Sequence, residues 1–122
     1  MRKLKQAHEY YLTDTNYDEF KKLTIGEKLL LSYYTIIQRD DNYVTDKLVI
    51  DDICWEDELE SLYNALKQFE IDEFILGDTS TALMNALNYF IDKGAKITGN
   101  ETYRVKELFN SRIEEKGLVI KL

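Results

Sequence analysis

A chain of 122 residues with 44% apolar and 32% charged side chains has the composition of a globular protein, large enough to bury roughly two-thirds of its unfolded surface in one core. One cysteine, Cys54, and one histidine, His8, exclude an internal disulfide, a zinc site built on paired thiolates and any His/Cys cluster. Residues 1–8 carry charges without the apolar core of a secretory signal, and no apolar run is long enough for a bilayer, so a soluble cytoplasmic protein is expected.

Leu4, Ala7, His8, Tyr11 and Leu12 recur at helical spacing and predict a first helix with these residues on one face. His8 lies on that face and is expected to be a packed, half-buried imidazole, since no second histidine, cysteine or serine constellation accompanies it. Asn16 and Glu19 have capping-box spacing and predict a short helical turn through Phe20 and Leu23. Thr24 and Glu27 form a better box, opening a helix to about Gln38 with Leu29, Leu30, Tyr33, Ile36 and Ile37 turned inward. Residues 39–53 are ambiguous, because Tyr43-Val44 and Leu48-Val49-Ile50 fit either a short strand or loop anchors. A helix follows over about residues 55–69, with Leu59, Leu62, Tyr63 and Leu66 as its stripe. Glu56, Asp57 and Glu58 fall in its first turn, at the positive end of the helix dipole. Cys54, between Ile53 and Trp55, is expected to be a small buried hydrophobe.

Residues 71–105 form the clearest unit, strand then helix then strand. Residues 71–76 are a short apolar run, broken by Gly77-Asp78-Thr79-Ser80 with Asp78 or Thr79 as the helix cap. Leu83, Ala86, Leu87, Phe90 and Ile91 then mark one helical face, and Lys93-Gly94 ends it, with Gly94 free to turn left-handed. Residues 95–105 return as a strand, a right-handed crossover with the helix on one face of the sheet. Residues 104–116 are expected to be a turn-rich or partly helical connection, and residues 118–122 a closing strand. The predicted class is α+β, a two-layer single domain over residues 1–122: helical in 1–38, and in 54–122 a small mixed sheet covered by helices.

Charge is segregated along the chain. Residues 1–50 are neutral, residues 51–92 carry eleven acidic side chains against Lys67 alone, and residues 93–122 have a net charge of +3. Such a run is either a solvated face or a carboxylate array offered to a basic partner, and it disfavours direct nucleic-acid binding. Lys93, Lys96, Arg104, Lys106 and Arg112 could make a minor basic patch. The turn at residues 77–80 matches no phosphate-binding glycine pattern, and Asp40-Asp41-Asn42 lacks the spacing of a calcium loop. No catalytic residue, metal site or cofactor is predicted.

Residues 69–80, then Phe90, residues 94–99 and the terminal Leu118-Val119-Ile120-Lys121-Leu122 resemble a family of small proteins encoded on plasmids and conjugative elements of Gram-positive bacteria. That family is associated with type II-A anti-CRISPR inhibitors. The resemblance covers about residues 54–122 and departs from the family pattern at Gly77-Asp78 and at Glu101-Thr102-Tyr103. It implies a non-enzymatic inhibitor in a bacterial host, whose partner is an RNA-guided DNA nuclease with a basic nucleic-acid channel. Together with the charge pattern it nominates Asp51, Asp52, Glu56, Asp57, Glu58 and Glu60 as the partner-binding face, a DNA mimic. The alternatives are an accessory or regulatory protein of a mobile element with another protein partner, and a metal-dependent nuclease acting on guide RNA. A homodimer stays open.

Overall fold

The computed structural model describes residues 1–51, 58–77 and 81–122. Its order is α1 (Arg2–Tyr11), a 3-10 turn (Asp14–Asn16), α2 (Tyr17–Lys21), α3 (Ile25–Arg39), β1 (Leu48–Ile50), α4 (Leu59–Gln68), β2 (Glu73–Leu76), α5 (Thr81–Asp92), β3 (Lys96–Leu108) and β4 (Ser111–Lys121). The four strands make one mixed sheet in the order β1-β2-β4-β3. β1 and β2 are parallel, joined through α4, while β4 is antiparallel to both its neighbours. β2 and β3 therefore run the same way with one position between them, and β4 folds back as a hairpin to fill it. The chain is α+β, as its periodicities predict.

Strand alternation decides how the layers stack. Leu48, Ile50, Phe74, Leu76 and Ile120 point to the face that receives Leu4 of α1, Leu30 and Tyr33 of α3, Leu62 and Leu66 of α4, and Ala86 and Phe90 of α5. The alternate residues Val49, Ile75 and Val119 point the other way and form a second cluster with Tyr103, against which Ile37 and Tyr43 pack. This second face is covered by Tyr103 of the curled outer strand, by Tyr43 and by Ile37 of α3. Register shifts at Ile97/Gly99 and Thr102/Arg104 curve the long hairpin. Residues 42–44 then bond to its outer strand, Val44 N–H to the Tyr103 carbonyl and Val105 N–H to the Asn42 carbonyl, both at 2.9 Å. Four residues later the chain enters β1, at the opposite edge of the sheet.

The helix ends show which local signals were decisive. Thr24 and Glu27 form the capping box, with Glu27 N–H on Thr24 Oγ1 at 3.2 Å and Thr24 N–H on Glu27 Oε1 at 3.1 Å. Gly94 is left-handed at φ 92° and closes α5, with Ala95 N–H on the Phe90 carbonyl and Gly94 N–H on the Ile91 carbonyl. The same pair of bonds ends α4, from Ile71 to Leu66 and from Glu70 to Lys67, yet here the left-handed residue is Glu70 at φ 57°. No glycine announces that stop.

Several expectations are corrected. Asn16 and Glu19 do not cap α2: Asn16 Nδ2 donates to the Tyr10 carbonyl at 2.7 Å and Glu19 accepts from the Tyr10 hydroxyl at 2.6 Å, so both side chains tie down the end of α1 instead. Ile36 and Ile91 are each 46% exposed rather than inward. In α3, Leu31 and Tyr34 are buried in place of Ile36, because α1 packs on a second side of that helix with the His8 ring edge-on to Tyr34 at 4.9 Å. Residues 104–116 are neither turn-rich nor helical; they are the outer half of the β3–β4 hairpin, closing on Phe109-Asn110. The Cys54 environment, the Asp78 or Thr79 cap, and the helical start at residues 55–57 lie outside the described residues. No helix among the described residues is long and apolar enough to cross a membrane.

Candidate partner-binding edge of the sheet

The parallel pair sends both its carboxyl ends to one edge. β1 runs into Asp51, and α4 opens at Leu59 with Glu58 as its N-cap and Glu60 exposed in its first turn. β2 runs into Gly77. In sheets with helical crossovers this is the edge where ligands and partners are met, because the connecting loops and the positive helix ends gather there. Of the six nominated carboxylates, Asp51 follows β1 and is bonded on the Tyr43 side of the sheet, Glu58 and Glu60 open α4 on the other side, and Asp52, Glu56 and Asp57 lie outside the described residues.

Asp51 is held by aromatic groups rather than by a cation. The Tyr43 hydroxyl donates to Asp51 Oδ2 at 2.9 Å, and the Tyr43 ring stacks on Tyr103 with centroids 6.1 Å apart. The Arg104 guanidinium lies over the Tyr43 ring, 5.7 Å from its centroid. Arg104 Nε is buried and lies 3.3 Å from Asp40 Oδ2 without a hydrogen bond, an attraction of charges only. Burial first, then the bond to Asp51, raises the Tyr43 pKa far above its ordinary value. Burial first, then the charges of Glu115 and Asp51, pushes Tyr103 up to about 12. Both rings keep their hydroxyl proton at neutral pH, and Tyr43 uses its proton to hold Asp51.

The segregation of charge along the chain is partly undone in space. Arg104 and Lys106 of the basic third fold back to Glu115, at 3.8 and 3.6 Å, and Arg104 also reaches Asp40. Arg112 pairs with Glu114 at 3.4 Å, and Lys93 lies over the rings of Tyr63 and Tyr89. The minor basic patch is therefore largely spent on internal partners. Lys47, the one cation between Asp40 and Glu60, joins Glu101 at 2.8 Å and Glu73 at 3.5 Å. His8 is half-buried as expected. Thr35 spends its proton on the Leu31 carbonyl, so His8 Nε2 is the donor in the 3.0 Å contact with Thr35 Oγ1. Burial, then Arg39, lowers its pKa. Among the described residues no three His, Cys, Asp or Glu side chains gather in a way that would hold a metal ion.

The Lys47–Glu101 pair makes a pH prediction. Hydrogen bonds from Lys47 and from the Thr45 hydroxyl hold the Glu101 carboxyl below its ordinary value of 4.5. A carboxylate depressed in the folded state stabilises the fold above the unfolded value and loses that contribution as pH falls through the folded one. The same bond raises Lys47 above 10.5, so its share is lost only at higher pH. Both groups are about a third exposed or less, and solvent keeps the effect small. Glu101→Gln is expected to cost about 1 kcal/mol at pH 7. In thermal melts its difference from the parent should shrink steadily below pH 4.5; a constant difference down to pH 3 would refute the assignment.

Sequence reasoning missed the pairing of Tyr43 with Tyr103, and Arg104, nominated for a basic patch, packs on Tyr43 instead. Their signal was weak, because the first sits in an irregular segment and the other two in a stretch with no run of apolar residues.

Fold and edge together define a small two-layer α+β domain, with the main helical packing on one face of the sheet and the curled outer strand, Tyr43 and Ile37 over the other. The chain belongs to the DUF7698 family, a domain of unknown function, whose model matches residues 29–121. The match starts inside α3 and takes in the whole sheet, leaving α1 and α2 outside it. No curated protein and no solved structure matches the chain.

Proposed function

We propose that this chain is a non-enzymatic binding protein that inhibits the RNA-guided DNA nuclease of a type II CRISPR system by occupying its basic nucleic-acid-binding surface. The observation that supports the binding mode is that Asp51 follows β1 while Glu58 and Glu60 open α4, so that carboxylates stand at both ends of the β1–α4 connection. Support for the partner comes from the resemblance over residues 54–122, whose described part falls on α4, β2, α5, β3 and β4. A nuclease of that class reads its adjacent motif with arginines and holds nucleic acid in a positive channel, for which a carboxylate edge competes with phosphates. The face is narrower than the linear charge run, because Glu73 of that run is held by Lys47.

The test is DNA cleavage by the purified nuclease, with the protein added before or after guide loading. Cleavage should fall in at least one order of addition. Reversing Asp52, Glu56, Glu58 and Glu60 together to lysine is expected to weaken inhibition by about 100-fold or more, with the far-UV circular dichroism unchanged. Full cleavage in both orders, or inhibition that survives the reversal, would reject the proposal. The first of those outcomes would leave an accessory protein of a mobile element with a different partner, to be sought by pull-down from a host lacking CRISPR.

A further inference from the structure

Residues 40–47 lie across the sheet as a strap. They start at the outer edge, where Tyr43 bridges Arg104 of β3, and end at Leu48 of β1 on the opposite edge. Register sets Leu48, Phe74, Ile120 and Ile97 in one row, and Arg104 stands further along β3. The strap therefore runs diagonally over the second face, across the row Val49, Ile75 and Val119, whose members are 0–7% exposed. What holds it there is mostly polar. No residue from 40 to 47 is buried, and Val44 is 58% exposed. Its apolar anchor is the Tyr43 ring, stacked on Tyr103 and packed against the second cluster. The other attachments are ion pairs and hydrogen bonds: Asp40 with Arg104, Lys47 with Glu101 and Glu73, the Thr45 hydroxyl on Glu101, the Tyr43 hydroxyl on Asp51, and the two backbone bonds to β3. Partly exposed pairs of this kind contribute little each and weaken in salt. A segment with few buried apolar contacts opens at a free energy well below that of the whole fold.

The floor beneath the strap is built differently. Val49, Ile75 and Val119 sit on strands bonded to one another, and their neighbours Leu48, Ile50, Phe74, Leu76 and Ile120 are fixed in the helical core on the other face. The Tyr103 ring lies against Gly77, where a Cβ would come within 2.8 Å of it, so that ring rests on the sheet as well as on Tyr43. Apolar burial holds the floor, and charge and hydrogen bonding hold the strap.

We propose that residues 40–47 form a latch that opens as one piece while the rest of the fold stays intact, uncovering the Val49–Ile75–Val119 row and releasing the Asp51 carboxylate. Arg104 is the catch, since both the Asp40 carboxylate and the Tyr43 ring meet it. Asp51 is freed because the hydroxyl that holds it belongs to the strap. A cation that takes Asp51 competes with Tyr43 and favours the open strap, and an open strap favours that cation to the same degree. The latch would thus set how much charge the β1–α4 connection presents. That consequence rests on the binding role proposed above; the opening does not.

The experiment is thiol labelling of the full chain with N-ethylmaleimide, an uncharged reagent. Cys54→Ser removes the one native thiol. In that background Val119→Cys places a thiol under the strap, and Ala65→Cys places one in the helical core. Each rate is taken relative to the same thiol in the urea-unfolded chain. Val119→Cys should label at least about tenfold faster than Ala65→Cys, since only the second needs the core to open. Raising NaCl from about 0.05 to 1 M should speed Val119→Cys several-fold by screening the ion pairs, with Ala65→Cys no faster. Arg104→Gln, which removes the catch, should speed Val119→Cys by about tenfold. Val49→Cys probes the same row if circular dichroism shows that a cysteine at 119 disturbs the sheet. Equal rates at the two faces, or labelling of the covered row indifferent to both salt and Arg104→Gln, would overturn the latch. A latch that opens in a protein without effect on the nuclease would refute the binding role alone.

Discussion

Gly26→Ala is expected to destabilise the fold by about 3 kcal/mol or more, lowering the melting temperature by on the order of 10 °C. In an exposed helix the same change stabilises by roughly 1 kcal/mol, since alanine loses less backbone entropy. Here the sign reverses because α3 and α4 touch at this residue. A methyl group on Gly26 would lie 2.0 Å from the Ser61 carbonyl oxygen and 2.7 Å from the Leu62 nitrogen, both backbone atoms of α4 that no rotamer change can move. The helices would have to separate, and the 2.9 Å bond from Gly26 N–H to Ser61 Oγ would stretch with them. Urea unfolding measures the difference directly. A variant as stable as the parent would mean that the two helices do not meet at this glycine.

Phe74→Ala is expected to cost about 3–5 kcal/mol, the usual range for emptying a fully buried aromatic site. Phe74 sits on β2, flanked in register by Leu48 on β1 and Ile120 on β4, and has no exposed surface. Its ring meets Phe90 of α5 edge to face, 5.2 Å between centroids and at 65°. The vacated space is walled by a strand on each side and a helix above, so little can collapse into it. Domains of this size hold only about 5–15 kcal/mol in total, and the variant should be partly unfolded at 37 °C by near-UV circular dichroism. Retention of the parent near-UV spectrum and melting point would contradict the central placement of this ring.

What could be read from the residues follows how each element is stabilised. The Thr24–Glu27 box, the Gly94 stop and the stripe Leu59, Leu62 and Leu66 were legible because each rests on neighbours in sequence. The β3–β4 hairpin was hidden for two reasons. Its turn has Phe109 where glycine would normally mark the bend, and its outer strands show no apolar face because the body of the protein never covers them. Ile36 misled for a different reason: helical spacing places it one turn from Tyr33 and two from Leu29, but the side of α3 that α1 covers is set by Leu31 and Tyr34. The candidate edge was half legible. Its carboxylates stand out as a linear run, whereas the pairing of Asp40 with Arg104 and of Asp51 with Tyr43 joins segments that only the sheet brings together.

The bonds between residues 42–44 and the outer strand of the hairpin have a kinetic corollary. They close a loop of about sixty residues, whose chain entropy must be lost before any bond there can repay it. Strand β1 and helix α4 can assemble with α3 early, from contacts near in sequence, but the Val44 and Val105 amides can be shielded only after the hairpin has formed and curled back. Those two protons should therefore be the late reporters in pulse-labelled refolding, and the first to exchange when the native molecule opens from its outer strand.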